Sequence, residues 1–306
     1  MGVPTSTLGD YKNRADLVIF WGCNPVHAHP RHLGRYSEFV RGYFRKDGRN
    51  DRTVIVVDPR NTHTAQTADI HIQVNPNEDY ELLNAMRALL RGITLEEDKI
   101  AGVPINKIKE LIDILKKSNY GVIFFGMGLT QTSSHHRNVD SAICLTRELN
   151  DYTKFSISPM RGHYNVTGAN AVFTWNTGYA YSIDFSRGYP RYNPGEFSSV
   201  DLLMRDEIDA SLIVASDPAS NFPADSVKNL FKHPLIVIEP HETPTSAFAD
   251  VVFPVAIAGI ECEGTAYRMD HIPLRLRKVR EPPNDCLTDA EILELIIEKV
   301  KELKGE

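Results

Sequence analysis

The sequence contains few cysteines, and no two of them lie close together. The four residues, Cys23, Cys144, Cys262 and Cys286, are scattered over 306 positions. A zinc ribbon or an iron–sulfur loop needs cysteines only a few positions apart, so the spacing excludes a cysteine-ligated cluster built from this sequence alone. Scattered thiols, together with the absence of a recognisable secretory signal in residues 1–10, favour a reducing, cytoplasmic location.

Two further features are missing. No apolar run reaches the length of a membrane span, and there is no excess of basic residues. Acidic residues number 40 and basic residues 34, for a formal net charge of −6, so a nucleic acid is not the expected partner. What is present is a hydrophobic content of 42% in a chain of 306 residues. That is enough for a large core, and the length favours two domains.

Short apolar runs alternate with stretches of helical period. Runs rich in Val, Ile and Phe predict strands at residues 15–22, 53–58, 71–74, 120–126, 210–216, 234–239 and 250–255. Apolar residues at helical spacing predict helices at 77–91, 105–117, 138–149 and 290–303. The strands are apolar throughout rather than alternating, which is typical of parallel sheets covered on both faces. The predicted fold class is therefore α/β.

Residues 156–199 have a different composition: they are aromatic, rich in Gly, Asn, Pro and Arg, and show little period. We expect an ordered but irregular segment here, with a domain boundary at its start that gives domains 1–155 and 156–306. A pattern of strand, small polar loop, helix and strand, followed by Asp58-Pro59 or Glu239-Pro240, occurs once in each half. This pattern predicts two related nucleotide-type half-folds.

Small polar loops follow three of the predicted strands in the first half. They contain Gly22, Asn24 and Pro25; Asp58, Arg60 and Thr62; and Gly126, Gly128 and Gln131. Because ligands bind outside the carboxyl ends of open parallel sheets, we expect a shared crevice. There, Asp58 can accept from a ribose hydroxyl, and Arg60, Thr62 and Thr64 can donate to phosphates. Taken singly, each loop is equally consistent with an ordinary or capped turn.

Further candidates lie outside these loops. Arg161 offers a fixed cation for a carboxylate or a transition-state anion, and His163 offers a proton shuttle. Alternatively, Arg161 forms an ion pair with a surface acid, and the His163 ring is hydrogen-bonded to the backbone. Glu261 and Glu263 can form an acid–base pair or a metal site, or can cap backbone amides. The histidines at 27–32 and 135–136 have no acid or cysteine at ligand spacing, so we expect no metal ligand in this sequence.

Six motifs, taken in order, resemble the molybdopterin oxidoreductase family, which includes formate dehydrogenases. They are WGCNPVHAHPRH, VVDPRNTHTAQTAD, GMGLTQ, MRGHYNVTGAN, ASDPASNFP and ADVVFP…ECEGTAYRMD. The tract from Pro159 to Ser198 is similar to the catalytic subunits of formylmethanofuran dehydrogenases within that family. The resemblance implies two Rossmann-like domains, a pterin-dinucleotide domain at 1–155 and a second at 156–306 that completes the cofactor cleft. It also implies the reversible reduction of CO2 to formate at a tungsten or molybdenum centre for the formylation of methanofuran, in archaeal methanogenesis.

The resemblance also assigns residues. One pterin guanine dinucleotide is implied to bind Gly22, Asn24, Pro25, Asp58, Arg60, Thr62, Asp79, Gly126, Gly128 and Gln131. The second is implied to bind Asp217, Pro218, Glu239, His241 and Thr243. Arg161 falls beside the metal, where it would orient the one-carbon anion. His163 is the second catalytic candidate, at a position where formate dehydrogenases usually carry glutamine.

Two features of the family are missing from the sequence. Relatives carry an N-terminal cysteine cluster for a [4Fe–4S] centre and a cysteine or selenocysteine that ligates the metal. We therefore expect the metal ligand to lie outside this sequence and the chain alone to be inactive. The implied partners are the other subunits of the complex, including a separate subunit with a pterin-binding β-barrel. A non-catalytic dinucleotide-binding or assembly module, or another formate dehydrogenase-like subunit, remains the alternative.

Overall fold

A computed structural model describes residues 6–305, which form two compact units. The first contains residues 6–166 together with Met269–Ile272, and the second contains Thr167–Arg268 together with residues 273–305. The expected boundary after residue 155 lies inside the first unit, within the strand Lys154–Pro159.

The first unit is built on a five-stranded parallel sheet. The strands of this unit are β1 (Leu17–Trp21), β2 (Thr53–Val57), β3 (Ile70–Ile72), β4 (Lys99–Ile100), β5 (Val103–Pro104), β6 (Tyr120–Phe125) and β7 (Lys154–Pro159). The sheet order is β3-β2-β1-β6-β7, and β4 and β5 form a separate antiparallel pair. The strand β1 thus pairs with β2 on one side and with β6 on the other.

Helices cover both faces of this sheet. They are α1 (Leu8–Arg14), α2 (Pro25–Ala28), α3 (His32–Arg35), α4 (His63–Thr67), α5 (Asp79–Leu90), α6 (Ile105–Lys117), α7 (Met127–Thr130) and α8 (His136–Leu149); Gly48–Asp51 is a 3-10 helix. On one face, Ile19 and its neighbours pack against α5, α6 and α8. On the other face, Phe20 and its neighbours pack against α1, α3 and α4. Because both faces are buried, the strands are apolar throughout.

The second unit is smaller and contains a three-stranded parallel sheet. Its elements are α9 (Val166–Thr177), β8 (Ile183–Asp184), β9 (Arg191–Tyr192), α10 (Ser199–Met204), β10 (Ser211–Val214), α11 (Pro218–Asn221), α12 (Ala224–Leu230), β11 (Leu235–Ile238), β12 (Val251–Phe253), β13 (Gly264–Tyr267), β14 (Pro273–Leu276) and α13 (Asp289–Lys304). Ser246–Phe248 and Pro283–Asp285 are 3-10 helices. The sheet order is β10-β11-β12, and β8–β9 and β13–β14 are antiparallel pairs.

The predicted fold class is confirmed, because both units carry parallel sheets with packed helices. Each predicted strand and helix overlaps an observed one. The expectation of an irregular segment at 156–199 is wrong, since this tract contains the end of β7, the helix α9 and the β8–β9 pair. The sequence of α9 mixes apolar, small and amide residues without a regular period, and its Phe173 and Trp175 are about half exposed, so no amphipathic pattern marks it. Within the described range, every helix is too short or too polar to cross a bilayer.

Candidate functional site

A cleft of about 710 Å³ opens in the first unit at the carboxyl ends of β1, β2 and β6. The strand β1 lies between the other two, so the cleft lies at the switch point where ligands bind in open α/β sheets. Nine of the predicted residues line it: Gly22, Asn24, Asp58, Arg60, Asp79, Gly126, Gly128, Arg161 and His163. Three others belong to neighbouring helix ends instead of the lining. Pro25 is the first residue of α2, Thr62 caps α4, and Gln131 ends α7.

The glycines of this cleft allow two loops to pack closely against each other. Gly22 follows β1 with φ +56°, and a Cβ there would lie 2.6 Å from the backbone nitrogen of Leu129. A Cβ on Gly128 would lie 2.7 Å from the carbonyl oxygen of Gly22, and one on Gly126 would lie 2.5 Å from the Cβ of Cys23. The loops after β1 and β6 therefore touch through their backbones. This backbone contact explains why glycine occupies these positions without reference to a ligand.

Two buried carboxylates lie at the base of the cleft. Asp79 begins α5, and its Oδ1 accepts a hydrogen bond from the indole Nε1 of Trp21 at 2.7 Å. Burial raises the pKa of Asp79; the Trp21 bond opposes this rise, and the nearby charge of Asp58 adds to it. Asp58 accepts from the backbone N–H of Arg60 at 2.8 Å, and the Arg60 Nε lies 3.8 Å from the same oxygen. These acids can accept N–H or O–H donors from a ligand.

Cationic groups form another part of the lining. The Arg60 side chain is largely exposed. The Nε of Arg161 is buried without a hydrogen-bond partner in residues 6–305. The His29 ring donates to the Arg161 carbonyl oxygen, with a distance of 2.7 Å from Nε2 to O, which ties down the backbone at this point. Burial and the Arg161 cation both lower the pKa of His271. Arg161 lines the cleft as a whole residue, and a guanidinium cation is the kind of group that binds an anionic ligand.

Thr64, which the sequence suggested as a phosphate donor, instead bonds to other residues beside the cleft. Thr64 is fully buried in α4. Its Oγ1 accepts from the backbone N–H of Val26 at 3.3 Å and donates to the Oδ1 of Asn24 at 2.6 Å. The two bonds connect the α2 and α4 turns and orient the Asn24 amide. Thr64 is therefore a positioning residue for a side chain that lines the cleft.

The second unit repeats the strand arrangement of the first. After β1, the N–H of Gly22 bonds to the carbonyl of Val57 at 2.9 Å, and after β10 the N–H of Ala215 bonds to Ile238 at 2.9 Å. Ala215 even shares the positive φ of Gly22, at +49°. The strands β10, β11 and β12 thus correspond to β1, β2 and β3, which supports the two related half-folds that the sequence predicted.

The repeat extends to the side chains of the turns. Thr245 is fully buried, like Thr64; its Oγ1 accepts from the N–H of Ala219 at 2.9 Å and donates to the Oδ1 of Asp217 at 2.5 Å. Thr243 and Thr62 each cap the following turn through a 3.1 Å bond from a backbone N–H. Hydrogen bonds from Ser220 and Thr245 lower the pKa of Asp217.

The remaining predicted residues of this unit fall at corresponding places. Glu239 takes the place of Asp58, His241 that of Arg60, and Pro218 that of Pro25 as the first residue of its helix. Burial raises the pKa of Glu239, and the N–H of His241 bonds to its carboxylate. A sequence signal for Thr64 and Thr245 does exist. The pattern [DE]-P-x-x-T-x-T-x-x-x-A-D occurs at 58–69 and again at 239–250.

The alternatives left open for Glu261 and Glu263 are decided in favour of structural roles. Glu261 is buried; it accepts from the backbone N–H of Ile257 at 3.0 Å and from the Arg280 Nε at 3.0 Å. Glu263 pairs with Arg275 at 3.0 Å. In the part of the chain that the structure describes, no three His, Cys, Asp or Glu side chains are grouped as metal ligands.

Comparison with known proteins agrees with this architecture. The family model described as molybdopterin oxidoreductase matches residues 5–299. The chain is 58% identical to the B-type subunit of the tungsten-containing formylmethanofuran dehydrogenase 2 of Methanocaldococcus jannaschii, over 99% of the chain and 70% of the relative. It is 54% identical to the protein of the same name from Methanococcus maripaludis, with the same coverage.

A solved structure shows the same fold. It is the formyltransferase/hydrolase complex (FhcABCD) from Methylorubrum extorquens in complex with methylofuran, which aligns with TM-score 0.76 at 20% identity. The alignment covers 99% of the chain and 79% of that protein's chain. On these matches, the chain belongs to the molybdopterin oxidoreductase family of enzymes, within its group of formylmethanofuran dehydrogenase B-type subunits.

Proposed function

We propose that this chain holds pterin guanine dinucleotide in a formylmethanofuran dehydrogenase and takes part in the reversible reduction of CO2 to formate. The observation that carries the proposal is the cleft at the switch point, where the buried acids Asp58 and Asp79 lie with the cations Arg60 and Arg161. Such a donor and acceptor set suits a ligand that carries phosphates together with sugar and base groups.

The chain's residues fit one such cofactor. Asn24 and Arg60 would donate to phosphate oxygens, and Asp58 and Asp79 would accept from hydroxyl or N–H groups. The guanidinium of Arg161, which lines the cleft, would bind an anion. When bound, the cofactor would supply two-electron redox chemistry at tungsten or molybdenum. The metal ligand and the [4Fe–4S] centre would come from outside these 306 residues.

The second copy of the turn would hold a second dinucleotide. Its residues are Asp217, Pro218, Glu239, His241 and Thr243, and the support is the shared hydrogen-bond pattern around Thr64 and Thr245. The working enzyme would be a cytoplasmic complex in which another subunit supplies a pterin-binding β-barrel.

In the reaction, Arg161 would bind and orient the carboxylate of formate, and its fixed charge would offset the negative charge of the one-carbon anion. His163, exposed on the same side of the cleft, would accept or return the proton that accompanies formate oxidation.

The test is formate oxidation by the assembled complex. Arg161→Ala should lower kcat/KM for formate by about a hundredfold or more, since it removes one preorganised charge contact. The control is Arg137→Ala, which removes an exposed arginine from α8 and should leave the rate unchanged. An unchanged rate in Arg161→Ala would rule out the assigned role. In parallel, Asp58→Asn should reduce the pterin that co-purifies with the chain, measured by mass spectrometry.

A further inference from the structure

The two units differ in the length of one connection between a helix and the next strand of the sheet. Between the end of α2 and the start of β2 lie 24 residues (29–52), whereas 13 residues (222–234) lie between the end of α11 and the start of β11. The second unit shows that the shorter connection is enough for this arrangement of strands. The longer one contains residues 39–46, which we call the 39–46 loop, and the fold alone does not account for them.

Three aromatic side chains of the 39–46 loop are exposed. Tyr43 is 75% exposed, Phe44 is 55% exposed and Phe39 is 49% exposed. The rings of Tyr43 and Phe44 pack edge to face, with their centroids 4.8 Å apart. A single exposed apolar side chain is ordinary, whereas adjacent exposed aromatic rings are typical of a protein interaction site.

Backbone hydrogen bonds hold the loop in place against α1. The Oδ1 of Asn13 accepts from the N–H of Tyr43 at 2.9 Å, and the carbonyl oxygen of Asn13 accepts from the N–H of Phe44 at 3.1 Å. Gly42 and Arg45 bond to each other's carbonyl oxygens at 2.9 and 3.2 Å. The two rings are therefore presented on an ordered backbone, and a partner that binds them does not have to order the loop.

Cationic side chains surround the two rings. Arg41 and Lys46 are exposed, and within residues 6–305 neither forms an ion pair. The Arg14 guanidinium lies over the Phe44 ring, 5.4 Å from its centroid, and is 3.7 Å from the carboxylate of Asp10. Arg41 and Lys46 thus leave two positive charges beside the rings available to a partner.

The acids at this surface do not cancel those charges. Asp47 is exposed, and its backbone N–H donates to the carboxylate of Asp51 at 2.8 Å. The exposed cations Arg14, Arg41 and Lys46 therefore outnumber the exposed acid. Aromatic rings bordered by cations are complementary to an apolar surface bordered by carboxylates. A lipid surface or a nucleic acid fits less well, because each is recognised by larger clusters of Lys and Arg.

We propose that the 39–46 loop is a docking surface for another protein subunit, one that presents apolar residues bordered by Asp or Glu side chains. Tyr43 and Phe44 pack on the apolar residues, and Arg41 and Lys46 pair with the carboxylates. The inference rests on the proposed function, in that the chain is taken to work in a complex. It goes beyond that function by assigning a contact surface and the chemistry of the partner.

The first test locates the partner in the purified complex. A photoreactive residue, p-benzoylphenylalanine, replaces Tyr43 in an affinity-tagged chain that is produced together with the other subunits. Cross-linked peptides are identified by mass spectrometry. We expect one dominant cross-link, to a segment of a different subunit that contains Asp or Glu next to apolar residues.

The second test measures how firmly that subunit is bound. Tyr43→Ser with Phe44→Ser removes the rings, and Arg41→Glu with Lys46→Glu reverses the charges. Each pair of changes should weaken binding of the cross-linked subunit by about tenfold or more, since exposed aromatic anchors and their bordering charges carry much of an interface's affinity. The effect of the charge reversal should be smaller at high salt, because salt screens charges at an exposed rim.

Matched controls come from elsewhere in the first unit. Ile93→Ser changes an exposed apolar residue, and Lys109→Glu reverses an exposed lysine of α6; both should leave binding unchanged. Melting temperatures of all variants should stay near that of the parent, because the altered side chains are exposed. Replacing the cross-linked carboxylates of the partner by lysine should restore binding to Arg41→Glu with Lys46→Glu.

Several results would overturn the inference. They are the absence of a cross-link from position 43 to another subunit, a cross-link only to a second copy of this chain, and equal losses in the two controls. Binding of the parent chain to phosphatidylserine vesicles, abolished by the charge reversal, would assign the loop to a membrane instead. Each of these leaves the cofactor role of the cleft untouched. The expected cross-link in a complex that does not oxidise formate would support the inference and count against the proposed function.

Discussion

Removing the buried hydroxyl of Thr64 measures how much its two hydrogen bonds contribute to the stability of the first unit. Replacing Thr64 by valine keeps the shape of the side chain and removes only its oxygen. Two bonds are lost, the 3.3 Å bond from the N–H of Val26 and the 2.6 Å bond to the Oδ1 of Asn24. The valine methyl takes the place of the hydroxyl in a fully buried position.

The expected loss of stability follows from these two bonds. Each intramolecular hydrogen bond contributes about 1 kcal/mol net, and a donor left unpaired inside the protein costs a further 1–3 kcal/mol, roughly. Asn24 and Val26 are only partly buried and can reach water, which reduces the second contribution. We therefore expect the free energy of unfolding of the first unit to fall by about 2 kcal/mol. With a urea m-value of about 2 kcal/mol/M, the midpoint falls by about 1 M.

The two tryptophans permit a selective assay. Trp21 lies in the buried strand β1 of the first unit, and Trp175 lies half exposed in α9 of the second. In a Trp175→Phe background, the fluorescence of Trp21 therefore reports urea unfolding of the first unit alone. Thr64→Ser, which keeps the hydroxyl, is the control and should lose less than half as much as Thr64→Val. If serine lost as much as valine, packing and not the hydroxyl would be responsible, and the assigned positioning role would be refuted.

Two other predictions concern packing and pH. Gly128→Ala should destabilise the first unit by about 1–3 kcal/mol because its Cβ would lie 2.7 Å from the carbonyl of Gly22. Gly34→Ala, with nothing within 4 Å, should be neutral or slightly stabilising in the same urea assay, and equal losses would contradict the prediction. Burial, assisted by His29, lowers the pKa of His32 from 6.5 to about 3. The unfolded chain therefore binds the proton first, and stability present above pH 6.5 should be lost as the pH falls toward 3. His32→Leu should flatten this decline in urea midpoints; an unchanged slope would exclude His32 as its cause.

The framework of the first unit could be predicted from sequence because its signals are local. The strand β1 is buried on both faces, so its five residues are all apolar, and such a run predicts a strand without knowledge of its neighbours. The convergence of the loops at Gly22, Asp58 and Gly126 followed from the geometry of parallel sheets alone. By contrast, β7 is the edge strand of its sheet and mixes Lys154 and serines with apolar residues. It therefore lacks the continuous apolar run from which β1 could be predicted.

The site was harder to predict because sequence does not distinguish a ligand contact from a helix cap. Thr62 was assigned to the cofactor, and the structure places its hydroxyl on the N–H of Ala65 as the cap of α4. Thr64, two residues later, belongs to the same pattern but acts on Asn24, 40 positions earlier in the chain. Only the fold brings those two side chains together, so no local pattern shows the contact.

The internal repeat separates what the fold requires from what the ligand requires. Positions fixed by hydrogen bonds within the turn keep their residue type in both copies: Thr62 and Thr243, Thr64 and Thr245, and the two aspartates at 69 and 250, each of which accepts from the N–H of a residue at the start of the adjacent strand. Two positions that line the cleft of the first unit do not: Asn24 becomes Asp217, and Arg60 becomes His241. Because the skeleton is the same in both copies, these exchanges cannot be attributed to a change in backbone. They change the charge that each turn carries at the carboxyl end of its sheet, because Asp217 replaces a neutral amide and His241 replaces a permanent cation.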